Sequence, residues 1–181
     1  MNPKRARLLE LLRTRSFQER EVTLSSGLKS NFYVDCKQVS LDAEGACLIG
    51  ELFHAVIEEV APNAVAVGGL TLGADPVAAA MLHAAAATGR RLDAFVVRKE
   101  GKAHGLQRRI EGPDVAGRRV LAVEDTSTTG GSVLTAVEAL REAGADVVGV
   151  AVIVERGAAD TVRGEGLPYI AAYDLADLGL G

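Results

Sequence analysis

Val120-Leu121-Ala122-Val123-Glu124-Asp125-Thr126-Ser127-Thr128-Thr129-Gly130-Gly131-Ser132 is the stretch on which the reading of this chain turns. Residues 120–123 are apolar without interruption, the pattern of a parallel strand buried on both faces. Glu124 and Asp125 follow at its carboxyl end, where open α/β sheets place their ligand crevices. Residues 126–132 then supply hydroxyls and glycines at the start of a helical pattern over 133–143, and a helix N-terminus suits a phosphate dianion. Carboxylates beside an anion cradle match a phosphorylated sugar, whose hydroxyls and phosphate need opposite partners. A plain strand-to-helix turn would also accept Thr, Ser and Gly. The adjacent acids favour the binding reading, because like charges side by side cost stability unless solvent or a ligand occupies them.

Outward from that stretch, strands and helices alternate. Residues 64–67, 92–97, 147–154 and 169–172 read as strands, and a helix capped by Asp42 runs to about Glu59. A second helix follows with Asp75 as its cap and Pro76 at its first position. Gly144 closes the helix that follows the opening stretch. Residues 3–15 form an amphipathic helix with a basic face, and short β-like runs at 21–24 and 32–34 flank the turn signal Ser25-Ser26-Gly27. The polar stretch 98–117 is long for a structureless connection. The alternation predicts an α/β domain with a mainly parallel central sheet covered by helices on both faces.

Composition bounds the rest. At 181 residues, 48% hydrophobic and 24% charged, the chain reads as one globular domain. A net charge of −4 argues against a general nucleic-acid binder. Cys36 and Cys47, eleven apart, suit neither a zinc site nor a redox pair, so both are expected to be buried apolar residues in a reducing cytoplasm. The first residues lack the pattern of a signal peptide. The apolar segment 64–88 is broken by Gly68, Gly69, Gly73, Asp75 and Pro76, so no membrane span is expected. His54 and His83 fall on helix faces and read as structural.

The opening stretch lacks both GxxxxGK[ST] and GxGxxG. It closely resembles the phosphoribosyl diphosphate (PRPP) motif of the type I phosphoribosyltransferases. That resemblance implies that Glu124 and Asp125 hold the ribose hydroxyls. It implies that Thr126, Ser127, Thr128, Thr129, Gly130, Gly131 and Ser132 wrap the 5′-phosphate. Arg98-Lys99-Glu100-Gly101-Lys102-Ala103-His104-Gly105 is similar to the catalytic loop of the orotate members of that family. Three cations and an imidazole suit a leaving diphosphate, and a closing loop would exclude water. Carried over, Arg98, Lys99, Lys102 and His104 bind the diphosphate, Lys102 and Asp125 are the catalytic pair, and the loop completes the site of a second subunit in a homodimer.

Three further stretches extend the resemblance over most of the chain. Residues 24–35 resemble the small N-terminal hood, formed mainly by about residues 1–40, with Lys29 and Tyr33 as base contacts. Ser25 stands where many relatives carry lysine. Residues 68–75 match the diphosphate loop, and Thr71 and Leu72 replace a tyrosine-lysine pair there, which leaves backbone contacts. Arg156 matches a strand-end arginine that contacts orotate, a role suited to a guanidinium fork, and Thr128 matches a nearby threonine. The implied reaction transfers the phosphoribosyl group of PRPP to orotate, giving orotidine 5′-phosphate in pyrimidine biosynthesis, with Mg²⁺ held mainly through PRPP. A purine phosphoribosyltransferase would share the PRPP motif without needing Arg156. A PRPP-sensing regulator would need a nucleic-acid surface that this acidic chain lacks.

Overall fold

Val120, Leu121, Ala122 and Val123 are all fully buried, so their strand lies in the middle of a layered structure. The computed structural model describes residues 2–23, 29–99 and 109–180. In chain order these form α1 (Pro3–Leu11), β1 (Phe17–Thr23), β2 (Lys29–Val34), α2 (Lys37–Ser40), α3 (Ala43–Val60), β3 (Ala66–Leu70) and α4 (Ala74–Ala87). There follow β4 (Asp93–Val97), β5 (Ile110–Glu111), β6 (Arg119–Ser127), α5 (Gly131–Glu142), β7 (Asp146–Glu155), α6 (Ala159–Gly164) and β8 (Tyr169–Tyr173).

Six strands form the main sheet in the order β5-β4-β3-β6-β7-β8. All neighbours are parallel except the short edge strand β5, which runs antiparallel to β4. Successive side chains alternate between the two faces. Val67, Leu121, Val123, Ala151 and Ile153 pack with Leu8 of α1, Phe53 of α3 and Met81 of α4. Ala66, Val120, Ala122, Val150 and Val152 pack with Val137 and Leu140 of α5 and Val162 of α6. Burying Leu-, Val- and Ile-sized side chains stabilises such a sheet by about 1.5–3 kcal/mol each. The predicted mainly parallel sheet covered on both faces is present.

The chain leaves β3 toward β4 on one side and leaves β6 toward β7 on the other. The carboxyl ends of β3 and β6 therefore flank a topological switch point, the usual ligand crevice of such sheets. Close approach of the two strands depends on Gly69, where a Cβ would lie 2.1 Å from the Val123 carbonyl oxygen and 2.8 Å from Ala74 Cβ.

The N-terminal segment sits beside this sheet as a separate antiparallel ribbon of β1 and β2. Arg5 lies 4.8 Å from the centre of the Tyr173 ring, and the Tyr173 hydroxyl donates to the Arg5 carbonyl at 2.7 Å. Arg13 Nε donates to the Asp177 carbonyl at 2.8 Å. The hood is thus fastened to β8 and to the C-terminal turn that holds Asp177.

Several local expectations need correction. β6 does not stop at Val123 but continues through Glu124, Asp125 and Thr126 to Ser127. α4 starts at Ala74, and Asp75 does not cap it, because its carboxylate accepts the Thr71 hydroxyl at 2.7 Å instead. α1 ends at Leu11 and passes into a π-helical turn over Leu12–Ser16. Cys36 is buried but Cys47 is exposed, since it falls off the α3 face that buries Gly45, Ile49, Phe53 and Ile57. Asp42 caps α3 as expected, accepting from Glu44 N at 3.1 Å and Gly45 N at 3.0 Å. Among the described residues, no helix is long and apolar enough to cross a membrane. Segment 64–88 resolves into β3, a turn and α4.

Replacing Gly69 by Ala is expected to cost about 2–3 kcal/mol, lowering the melting temperature by roughly 5–10 °C. Gly164→Ala, whose Cβ would meet nothing within 4 Å, is the matched control. Thermal melts that leave both variants level with the parent would disprove the tight β3–β6 contact.

Candidate active site

Beyond its last registered pair with β3, Gly68↔Ala122, β6 continues alone on that side from Val123 to Ser127. Glu124 and Asp125 stand on this extension, each only 5% exposed. Their carboxylates turn back on the local backbone. Glu124 Oε1 accepts from Asp125 N at 3.0 Å, and Asp125 Oδ1 accepts from Thr126 N at 2.7 Å. The turn after β3 closes on the same two groups. A Cβ on Gly73 would fall 2.1 Å from Glu124 Oε1 and 2.7 Å from Asp125 Oδ1, so a side chain there would have to displace both carboxyls.

Burial first, and then the Asp125 charge, push the Glu124 carboxyl up to about 8. The pair therefore keeps a proton on Glu124 at neutral pH.

Lys37, at the start of α2, brings the one cation that an ion pair joins to this pair among the described residues. Its Nζ lies 3.3 Å from Asp125 Oδ2 and 3.1 Å from Asp35 Oδ1. Burial pulls the ammonium down, but Asp125 and Asp35 outweigh that and hold it above the ordinary lysine value. Neither Lys37 nor Asp35 was singled out from sequence. The available signal was an acid and a base, Asp35 and Lys37, directly after an apolar-aromatic strand.

The turn between β6 and α5 is shorter than the 126–132 stretch. Thr126 and Ser127 are strand residues, and Ser127 is buried in register with Glu155. The turn itself is Thr128, Thr129 and Gly130, leading into α5 at Gly131 and Ser132. Gly130 takes a φ of +82°, and no side chain caps the helix. Its first backbone N–H groups are thereby left for an anion, apart from a long contact of 3.5 Å from Gly131 N to Thr129 Oγ1.

Arg156 follows β7, its backbone N donating to the Ser127 carbonyl at 2.9 Å. Its guanidinium lies 5.3 Å from the centre of the Phe32 ring in the hood, a cation–π arrangement. Burial lowers its pKa, and its buried Nε has no partner among the described residues. Glu155 fixes the turn behind it, accepting from Gly157 N at 2.6 Å and Ala159 N at 3.2 Å and from the Tyr169 hydroxyl. Cys36 lies within electrostatic range of Asp125, Lys37, Asp35 and Arg156 alike, so these groups gather round one buried thiol.

The remaining expected residues are more dispersed. Tyr33 is half-buried on β2, opposite Gln18. Lys29 is exposed at the far end of the ribbon and pairs with Glu21 at 3.2 Å. Thr71 is tied to Asp75, and Leu72 projects, 71% exposed. Arg98 anchors the end of β4 through Glu111 at 3.5 Å, and its N donates to the Arg109 carbonyl at 2.7 Å. Lys99 is exposed. Lys102 and His104 lie outside the described residues, as do Ser25 and Gly27. His54 Nε2 meets the Thr88 hydroxyl at 3.0 Å, away from this crevice, in keeping with a structural part.

A profile of the phosphoribosyl transferase domain matches residues 40–166. The chain belongs to the phosphoribosyltransferase family. An orotate phosphoribosyltransferase of Streptomyces avermitilis is 60% identical to it, over 99% of this chain and 100% of that one. The orotate phosphoribosyltransferase of Mycobacterium tuberculosis, solved with Fe(III) dicitrate, is 52% identical with a TM-score of 0.86, covering 98% of this chain and 100% of that one. A structure of the M. tuberculosis enzyme in complex with PRPP is 49% identical with a TM-score of 0.82, over 98% and 100% of the two chains. The type I phosphoribosyltransferase fold expected from sequence is the fold of this family member.

The raised Glu124 pKa has a consequence for stability. Below about 4.5 the carboxyl is protonated in both folded and unfolded chains. Between about 4.5 and about 8 only the folded chain keeps the proton, so stability falls as pH rises, by at most about 1.4 kcal/mol per pH unit. Urea unfolding of the ligand-free protein from pH 5.5 to 8 is expected to show a steeper loss than Glu124→Gln does. Parallel pH dependences for the two proteins would refute the shift.

Proposed function

We propose that this family member transfers the phosphoribosyl group of PRPP to orotate, releasing diphosphate and forming orotidine 5′-phosphate for pyrimidine synthesis. The observation that carries the reading is that two sites stand at the ends of neighbouring strands, β6 and β7. One is the buried Glu124–Asp125 pair beside Gly73 and the α5 N-terminus; the other is the half-buried Arg156 stacked on Phe32. The first fits a ribose 5-phosphate and the second fits a planar acid. The names of the relatives agree with both halves.

In this reading the glycosidic bond to diphosphate breaks as orotate nitrogen takes its place, and positive charge builds on the ribose. Asp125 and Glu124 hold the 2′- and 3′-hydroxyls, and the Asp125 charge favours the cationic transition state over the ground state. Thr128, Thr129, Gly130, Gly131 and Ser132 hold the 5′-phosphate through hydroxyls and the first N–H groups of α5. The backbone at Thr71 and Leu72 faces the diphosphate. Arg156 takes the orotate carboxylate in a fork, with Thr128, Tyr33 and Lys29 as further contacts.

Magnesium fits this donor set through the substrate. Among the described residues, no three His, Cys, Asp or Glu side chains gather to cage a metal, whereas PRPP presents many hard oxygens. When bound, the ion neutralises the leaving diphosphate. Arg98, Lys99, Lys102 and His104 complete the neutralisation, with Lys102 as the transition-state cation and the 98–105 loop reaching a second subunit's site in a cytoplasmic homodimer. The matching RKxxKxHG pattern supports this part of the reading.

Mixing protein, PRPP, Mg²⁺ and orotate should consume orotate absorbance. Turnover with a purine base and none with orotate would sink the assignment, and PRPP binding without turnover would make the chain a sensor. Arg156→Leu is expected to raise the orotate KM by about tenfold or more while leaving the PRPP KM within about twofold. Lys102→Ala should lower kcat by about a hundredfold or more with little change in orotate binding. A near-parental kcat in that variant would remove the loop from catalysis.

A further inference from the structure

We propose that Lys37 is a positioning residue of the phosphoribosyl site, held by Asp35 so that its ammonium fixes the Asp125 carboxylate against the ribose. The inference rests on the phosphoribosyl-transfer reading and adds to it a residue that the PRPP motif does not contain.

The geometry is specific. Asp125 has two oxygens, and one is already committed: Oδ1 accepts the Thr126 backbone N–H at 2.7 Å. Lys37 Nζ takes the other, Oδ2, at 3.3 Å. The lysine is itself restrained. Asp35 Oδ1 lies 3.1 Å from Nζ and accepts from Lys37 N at 3.2 Å, while Asp35 Oδ2 accepts from Gln38 Nε2 at 3.2 Å. Cys36, fully buried between the two, anchors this turn in the core. Thus an ammonium that ordinarily swings on a four-carbon stem is confined at both ends.

Exposure fits the role as well. The Lys37 side chain is 36% exposed while that of Asp125 is 8% exposed, so a partly solvated cation meets a nearly buried carboxylate. With Glu124 protonated, two carboxylates, Asp35 and Asp125, meet one ammonium. The site therefore remains net negative, as a ribose acquiring positive charge requires, while the Asp125 carboxylate is kept from swinging toward Glu124. Because Lys37 comes just after β2, the clamp also joins the hood to the sugar-binding strand. A hood displaced from the sheet would release Asp125.

The test is a double-mutant cycle read by calorimetric binding of PRPP with Mg²⁺, without orotate. Lys37→Met is expected to weaken PRPP binding by about tenfold or more, and Lys37→Arg by no more than about threefold. In an Asp125→Asn background, where there is no charge to hold, Lys37→Met should add less than about twofold. Its orotate KM should stay near the parental value. A merely structural lysine would cost the same in both backgrounds, and that result, or parental PRPP affinity in Lys37→Met, overturns the proposal. If melting shows Lys37→Met to be unfolded, Asp35→Asn carries the test, since freeing the ammonium should weaken PRPP binding several-fold; unchanged binding overturns the proposal. A parent that binds PRPP but does not consume orotate refutes the orotate reading alone, and the cycle still decides the part played by Lys37. A parent that does not bind PRPP refutes both.

Discussion

Two carboxyls on consecutive residues, both nearly removed from water, are the constraint around which this molecule is arranged. In isolation such a pair repels itself and loses hydration, and each effect costs more as the surroundings become drier. The chain answers with a proton retained on Glu124, backbone N–H donors from Asp125 and Thr126, and the ammonium of Lys37. Each answer comes from a different level of structure: burial, strand conformation and tertiary contact. None removes the negative character of the pair.

The sheet topology supplies the place for this arrangement. Because β3 and β6 send their chains in opposite directions, their carboxyl ends flank a gap at the topological switch point. β6 overruns β3 into this gap and carries the acids with it, and the turn after β3 approaches closely enough that Gly73 touches both. Strand length, glycine placement and charge therefore support one another. Arg156 at the end of the next strand, β7, extends the same rim toward the hood.

Much of this was legible in the residues, and the misses have definite causes. The apolar run 120–123, set before polar residues and a helical pattern, reads as a buried strand, and Asp42 at the start of a helical pattern reads as a cap. The extension of β6 to Ser127 was hidden because Glu124, Asp125, Thr126 and Ser127 are polar, and a polar tail reads as a loop until its burial is seen. Asp75 has a cap's spacing, yet its carboxylate is claimed by Thr71, a competition invisible to local pattern. Cys47 was misread because burial depends on which face of α3 meets the core. The clamp from Lys37 to Asp125 spans 88 positions, and no local pattern reaches that far.

The fastening of the hood to β8 and to the turn at Asp177 bears on synthesis. Arg5 and Arg13 meet residues 172, 173 and 177, partners between 164 and 168 positions away. Contacts of such separation form late, after the intervening chain has been made and closed. The segment that holds Arg5 and Arg13 therefore finds its seat only after β8 and the turn at Asp177 have been made. Until β8 exists, the acidic strand can be complete while the ribbon beside it is not yet fastened.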